Sequence, residues 1–280
     1  MERLTVSCFA GIEEGSFELR PVTVLIGAQA TGKSVVAKLL YFFRGLPISI
    51  LESIEQHVEW SQFQENQERK FLKFFQPGTW PKKAFKLRHV SGDHIVSVTR
   101  RGSNGSIGLS LPEIFRELYE KVQTWMPQIS DQSVEEGGEI RGRERFAWRR
   151  RSETELCKRL GQNAGFQQIF VTAARAFFSQ AKASVFTQLR EGGELDPFLV
   201  EFGAFLEQTR SLLIRRGFFD DEREPAARSG RFPSAKESAR NRKEVHQTLA
   251  NILRGNLIRD ETGEAVQTPD GRTIPISLAS

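Results

Sequence analysis

Cysteine is scarce in this chain of 280 residues, which contains only Cys8 and Cys157. Two thiols this far apart in sequence form no metal-binding motif, and we expect free, buried thiols rather than a disulfide, as in a reducing cytoplasm. No apolar run approaches the roughly 20 residues that span a bilayer. The N-terminus has no basic segment followed by an apolar one, so we expect no secretory signal. These absences predict a cytoplasmic protein without a membrane span.

Charge of either sign is also moderate. The chain has 40 Lys and Arg against 35 Asp and Glu, a formal net charge of +5, and 39% hydrophobic residues. This composition is ordinary for a globular protein, and the length allows one large domain or a domain with an inserted lobe. The small positive excess weakly favours an acidic partner such as nucleic acid. A basic loop on an otherwise balanced surface explains the excess equally well.

Two apolar runs stand out as candidate core strands. Val22–Ile26 is nearly continuous in β-branched and apolar residues, which is typical of a strand buried on both faces of a parallel sheet. Gln167–Thr172 has the same character. Shorter alternating strands are predicted before the first run, at Leu4–Phe9 and Gly15–Leu19. Apolar residues at helical spacing from Val35 to Phe43 predict a helix after it.

The rest of the chain alternates between helical and strand patterns. Residues 47–75 and the stretch after Pro112 have helical patterns, whereas 85–111 predicts a small antiparallel meander. Asp196 and Pro197 are suited to the cap and first position of a helix to Ile214. Helices are also expected at 177–189 and 237–253, and hairpin strands at 256–280.

These patterns predict two lobes and one excursion. We assign residues 1–175 and 254–280 to an α/β lobe and residues 176–253 to a helical lobe. Residues 128–152 combine Gly137-Gly138 with six arginines between Arg141 and Arg151, which predicts a mobile basic loop. That stretch would contact nucleic-acid phosphates in a functional interpretation. Four interspersed glutamates dilute its charge, so we favour a solvated loop without a ligand.

The residues Gly27–Ser34 match the phosphate-binding loop G-x-x-x-x-G-K-[ST], or Walker A motif, at every position. The glycines allow successive backbone N–H groups to point at phosphate oxygens, and the following helix adds its positive end. Lys33 is expected to reach the β- and γ-phosphates, and the Ser34 hydroxyl to ligate Mg²⁺. The expected cofactors are therefore ATP, or another nucleoside triphosphate, and Mg²⁺. The predicted binding residues are Gly27, Ala28, Gln29, Ala30, Thr31, Gly32, Lys33, Ser34 and Val35.

A second acidic site, which a hydrolytic P-loop enzyme needs, has no good candidate. Such a site is an apolar strand that ends in Asp, often followed by Glu, to hold Mg²⁺ and polarise water. The nearest text, Gly217–Glu222, follows two arginines and leads into a polar segment with two prolines. We interpret it as a helix end or surface loop. No catalytic residue is assigned.

The chain resembles the N-terminal part of an ABC-type AAA ATPase. This group includes the ATPase domains of the overcoming-lysogenisation-defect nucleases and the recombination-and-repair ATPases. The segments that carry the resemblance are Phe17–Gly27 with Lys33–Tyr41, then Ile169–Phe178, then Asp270–Ser280. It implies an α/β P-loop NTPase lobe with antiparallel β segments and an inserted helical lobe. It also implies work on DNA, in repair or phage defence.

The resemblance covers only the first half of that ATPase. The family's signature motif, acidic Walker B strand, D-loop and switch histidine have no counterpart in this sequence. We therefore expect an ATPase only if another chain or downstream sequence supplies these parts, in a homo- or hetero-oligomer. Two alternatives stay open: a non-catalytic nucleotide-binding remnant or regulatory module, and a complete small P-loop kinase with Arg141–Arg151 as its lid.

Overall fold

The computed structural model describes residues 2–80, 83–101, 106–127, 138–173, 196–215, 247, 254–260 and 263–275. The protein is a mixed α/β chain with antiparallel sheets, and it divides into two compact units, residues 1–170 and 171–280. The elements of the first unit are β1 (Glu2–Phe9), β2 (Ile12–Leu19), α1 (Lys33–Glu55), α2 (Trp60–Phe74), β3 (Phe85–Ser91), β4 (His94–Arg100), β5 (Ile107–Ser110), α3 (Glu113–Thr124) and α4 (Gly138–Leu160).

The first unit is built on a five-stranded antiparallel sheet in the order β2-β1-β3-β4-β5. Alternate residues of its central strands are buried, among them Leu4, Val6, Leu87 and Val98. Since side chains alternate across a strand, these residues share the face that forms the core. The predicted strands at the N-terminus and the predicted meander over 85–111 are both confirmed.

Helix α1 is the central helix of this unit. It begins at Lys33, as predicted, and continues through Pro47 to Glu55. Phe43 of α1 stacks on His89 of β3 with 5.4 Å between ring centroids, and Phe42 meets Phe71 of α2 at 5.2 Å. The helix is long and apolar enough to cross a membrane by composition, but half of that stretch is buried inside the protein, as in the core helix of a globular domain.

The second unit contains α5 (Pro197–Arg215) and a three-stranded antiparallel sheet of β6 (Asn256–Asp260), β7 (Gly263–Gln267) and β8 (Thr273–Pro275). Asp196 caps α5 as predicted, because its Oδ1 accepts a hydrogen bond of 2.8 Å from the backbone N–H of Phe198. The predicted C-terminal hairpins are present in the described residues. They group with the second unit, whereas the sequence suggested grouping them with the first lobe.

The two expected core strands are the largest departure from the sequence-based prediction. Val22–Ile26 is irregular chain outside both sheets, with Val22 82%, Val24 74% and Ile26 92% exposed. The Gln167–Thr172 segment is also not a strand, and Ile169 and Val171 are 48% and 57% exposed. Both segments have the apolar composition of a core strand. A strand also needs neighbouring strands to pair with, and none of the described residues pairs with either segment.

The predicted basic loop is also wrong from residue 138 onward, where the chain forms α4. A buried stripe at four-residue spacing explains the helix: Trp148, Ser152, Leu156 and Leu160 all face the protein. The Trp148 indole donates a hydrogen bond of 3.0 Å to the carbonyl oxygen of Val122 in α3. The many arginines around these four residues made the segment resemble a solvated loop in the sequence. Residues 128–137 lie outside the described residues. The predicted helices at 177–189 and 237–253 also lie outside them, except for Gln247.

Candidate functional site

The phosphate-loop motif follows the exposed segment Val22–Ile26 and runs into the first turn of α1. Ala30 and Gly32 both have left-handed backbone angles, with φ of 64° and 85°. These two residues turn the chain sharply before the helix begins at Lys33. Glycine takes this conformation without steric cost, which explains the second glycine of the motif. A non-glycine residue pays about 1 kcal/mol or more for it, so the Ala30 backbone is strained.

The first turn of α1 presents uncapped backbone N–H groups. The first helical hydrogen bond runs from Val36 N to Gly32 O at 3.0 Å, and no side chain caps the helix. The amides of Lys33, Ser34 and Val35 therefore donate to no acceptor within the described residues. Uncapped amides at the positive end of a helix bind anions, phosphate above all.

The Lys33 side chain folds back over the loop. Its Nζ donates to the carbonyl oxygen of Gly27 at 2.8 Å, to that of Ala28, and to Thr31 Oγ1 at 3.3 Å. Thr31 in turn donates to the Ala28 carbonyl at 2.9 Å. The ammonium group is thus held beside the loop backbone rather than directed into solvent. A cation in this position adds to the positive potential at the start of α1.

The β1–β2 hairpin supports the loop from the side. A Cβ atom placed on Gly32 would lie 2.6 Å from Cγ1 of Ile12, the first residue of β2. Side-chain atoms do not approach a Cβ this closely, so any larger residue at position 32 would require the Ile12 side chain or the loop to shift. The motif gives no sign of this contact, because Ile12 is 20 residues upstream and belongs to another element.

The remaining residues of the motif are open to solvent. Gly27–Thr31 and Ser34 are exposed, Gly32, Lys33 and Val35 are half-buried, and Val36 is buried and anchors the helix. The predicted set Gly27–Val35 therefore lies in the loop before α1 and in the first turn of that helix. This site has the backbone donors and the cation that a polyphosphate requires.

The acidic half of a nucleotide site has no equivalent in the described residues. Among them, no three His, Cys, Asp or Glu side chains are grouped so as to hold a metal ion. The Ser34 hydroxyl is exposed at the start of α1, where it would ligate a Mg²⁺ ion carried by a triphosphate. The weak acidic candidate at Asp220, Asp221 and Glu222 lies outside the described residues. The residues present fit the phosphates and one metal ligand.

A half-buried network of Glu2, Arg44 and His89 was not predicted from the sequence. Glu2 of β1 accepts hydrogen bonds from Arg44 of α1 at 2.7 and 2.6 Å, and its Oε1 lies 2.8 Å from His89 Nε2 on β3. Burial alone would raise the pKa of the Glu2 carboxyl, but the hydrogen bonds from Arg44 and His89 outweigh burial and lower the pKa to about 2. Arg44 is 42 positions and His89 is 87 positions from Glu2 in the sequence. No local sequence pattern therefore indicates that these three residues are in contact.

A cavity of about 100 Å³ adjoins this network and is lined in part by Phe43, His94 and Gln162. Sites for drug-sized ligands occupy about 300–1,000 Å³. The cavity is therefore too small for a nucleotide, and the network has the character of a structural link between the sheet and α1.

Comparison of the chain with protein-family models, with curated proteins and with solved structures finds no match. The functional argument accordingly depends on the geometry of the loop and on the sequence motif.

Proposed function

We propose that this chain binds the phosphates of a nucleoside triphosphate, ATP in the first instance, at Gly27–Val35. The observation that carries the proposal is the combination of uncapped amides at the start of α1 with the Lys33 ammonium held beside them. The loop amides and Lys33 would bind the phosphate oxygens, and Ser34 would ligate the accompanying Mg²⁺. The metal would neutralise charge between the β- and γ-phosphates.

We further propose that the chain is the ATP-binding portion of a P-loop NTPase of the ABC type that acts with a partner or with further sequence. The exposed segment Val22–Ile26 supports this, since three large apolar side chains at alternate positions face solvent directly before the loop. An exposed apolar segment with β-strand composition and no strand partner favours pairing with another strand. A partner strand bearing an acidic residue would bring the missing Mg²⁺ ligand to the loop. The resemblance implies a cytoplasmic role in DNA repair or phage defence.

A non-catalytic nucleotide-binding module is the second candidate, and one observation favours it. Among the described residues, no group of three or more His, Cys, Asp or Glu side chains could hold a metal ion. Such a protein would bind nucleotide and change its assembly without turnover. A complete P-loop kinase is less well supported, because the Arg149–Arg151 part of its proposed lid lies on α4 and is anchored through Trp148 to α3.

Binding of a fluorescent ATP analogue with and without Mg²⁺ tests the proposal. We expect saturable binding that Lys33→Ala weakens at least tenfold, because a charged hydrogen-bond donor contributes about 1.5–3 kcal/mol. Lys73→Ala is the matched control, since Lys73 is an exposed lysine on α2 away from the loop. Equal loss in both variants, or no loss in Lys33→Ala, would reject the assignment.

A further inference from the structure

We propose that the outer face of α4 binds single-stranded nucleic acid, with Arg150, Arg151 and Lys158 on the phosphates and Phe146 against a base. This site is distinct from the phosphate loop and does not depend on nucleotide binding. The first observation is the distribution of charge around the helix. Opposite the buried stripe that begins at Trp148 lie Phe146, Ala147, Arg150, Arg151, Thr154, Cys157 and Lys158.

Over the part of α4 whose side chains are described, 144–160, this face carries three cations and one carboxylate, that of Glu144. Glu144 is seven residues before Arg151 and therefore lies on the same side of the helix. The two other acidic residues of this part form ion pairs at the sides of the helix: Glu153 pairs with Arg149 at 3.2 Å, and Glu155 pairs with Lys121 at 2.7 Å. The net charge of the outer face is therefore positive.

The cations of the face are available to an anion. Arg150 and Lys158 are exposed and form no ion pair within the described structure. They are eight residues apart, which places them about 12 Å apart along the helix at a rise of 1.5 Å per residue. Arg151 lies over the ring of Trp125, with its guanidinium carbon 3.8 Å from the ring centroid. Stacking orients this guanidinium in advance, so that less conformational freedom is lost on binding.

Phe146 directs the choice of partner towards single strands. It is 55% exposed and is four residues before Arg150, so the two side chains are neighbours on the helix surface. An exposed aromatic ring beside arginines offers a stacking surface for an unpaired base, whereas bases in a duplex are already stacked. Over 144–160, where the side chains of α4 are described, Phe146 is the only large apolar side chain on the face. This disfavours a membrane surface, since membrane-bound helices bury a broad apolar face.

Helix α4 is held firmly enough to present this face. Trp148 anchors it to α3, and Arg149 Nη1 donates to Glu55 of α1 at 3.0 and 3.1 Å. The substitutions proposed below are at exposed positions outside these contacts. They are expected to leave the fold intact, which far-UV circular dichroism and thermal unfolding would verify.

The test measures the fluorescence anisotropy of a labelled 20-nucleotide oligo-dT, alone and in a duplex with oligo-dA, as the full chain is added. Binding of the full chain to anionic phosphatidylserine vesicles is measured in parallel. We expect binding to the single strand, with a log–log salt slope of about −2 for three phosphate contacts at roughly −0.7 each. Arg150→Ala with Lys158→Ala should weaken binding at least tenfold and flatten the slope by about 1.4. The control pair Arg69→Ala with Lys73→Ala removes the same charge from α2 and should have a smaller effect on binding than the α4 pair.

Phe146→Ala provides the second readout. We expect it to weaken binding of the single strand about fivefold or more, as base stacking contributes about 1 kcal/mol or more, and to leave the salt slope unchanged. Equal effects of the α4 pair and the α2 pair would overturn the proposal, as would vesicle binding without oligonucleotide binding. Duplex binding that equals single-strand binding, with no effect of Phe146→Ala, would overturn the assignment to single strands.

Discussion

Ile12 and Gly32 are in contact although they belong to different elements: Cγ1 of Ile12 lies where a side chain on Gly32 would begin, 2.6 Å from the ideal Cβ position. The β1–β2 hairpin therefore supports the turn that starts α1. Because Gly32 also has φ of 85°, two independent effects act against any other residue there.

Gly32→Ala should weaken nucleotide-analogue binding at least tenfold, since the clash with Ile12 displaces the loop amides. Adding Ile12→Ala removes the clash and should restore part of the affinity, leaving the backbone strain of about 1 kcal/mol. Gly45→Ala, in the middle of α1 with open space around it, should stabilise the protein slightly and leave binding unchanged. A double variant no better than Gly32→Ala would show that the hairpin does not position the loop.

Val24→Lys tests whether Val22–Ile26 is exposed, as in the structure, or is the buried strand that its composition suggests. Val24 is 74% exposed, so the lysine should change the free energy of unfolding by less than about 0.5 kcal/mol in urea. Val98→Lys is the matched variant on β4, where the side chain is fully buried, and it should prevent folding or cost several kcal/mol. A loss above about 2 kcal/mol for Val24→Lys would mean that the isolated chain buries this segment.

Local patterns predicted the local elements well. The start of α1 after the loop, the helix cap at Asp196 and the meander of β3 to β5 all follow from spacing and turn chemistry within a few residues. The errors arise where pairing with another element decides the outcome. Val22–Ile26 has the composition of a core strand. Among the described residues, however, no strand pairs with this segment.

The arginines of α4 led to the opposite error. Their charge suggested a solvated loop, while four residues at helical spacing, starting at Trp148, were enough to bury one side of a helix. For the candidate site, the motif assigns Gly27–Val35 to phosphate binding, and this assignment stays a prediction. The motif did not predict Ile12 or the Glu2–Arg44–His89 network, because contacts between positions 20 to 87 residues apart depend on the tertiary fold.

Glu2→Gln should lower the free energy of unfolding by about 2 kcal/mol at pH 7, because it leaves the half-buried Arg44 without its charged partner. The folded-state pKa of Glu2, about 2, lies below the ordinary value of 4.5. Its stabilising effect is therefore complete above pH 4.5 and is lost as the pH falls towards 2. The difference between wild type and variant in urea unfolding should shrink over that range.

Glu18→Gln is the control for this experiment. Glu18 pairs with Arg3 at 3.0 Å on the exposed surface, where an ion pair contributes little. We expect Glu18→Gln to change the free energy of unfolding by less than about 0.5 kcal/mol at any pH. A Glu2→Gln effect of the same size would contradict a structural role for the network.

The purified chain should release phosphate from ATP no faster than the Lys33→Ala variant. Hydrolysis needs a carboxylate to position water and a second acidic ligand for Mg²⁺. Among the described residues, no group of three or more His, Cys, Asp or Glu side chains could hold a metal ion. Steady-state phosphate release is the measurement. Robust turnover that is lost in Lys33→Ala and also in Asp221→Asn or Glu222→Gln would reject the partner-dependent account and favour a complete enzyme.

Titration of the ¹⁵N-labelled chain with inorganic triphosphate and Mg²⁺, followed by backbone amide shifts, tests the central claim most directly. If the amides at the start of α1 bind phosphate, Lys33, Ser34 and Val35 should show the largest shifts, and adenosine alone should leave them unchanged. The Lys33→Ala variant should require at least tenfold more triphosphate for the same shifts. Shifts confined to other basic surfaces such as α4, with Lys33–Val35 unmoved at saturation, would contradict phosphate binding by this loop.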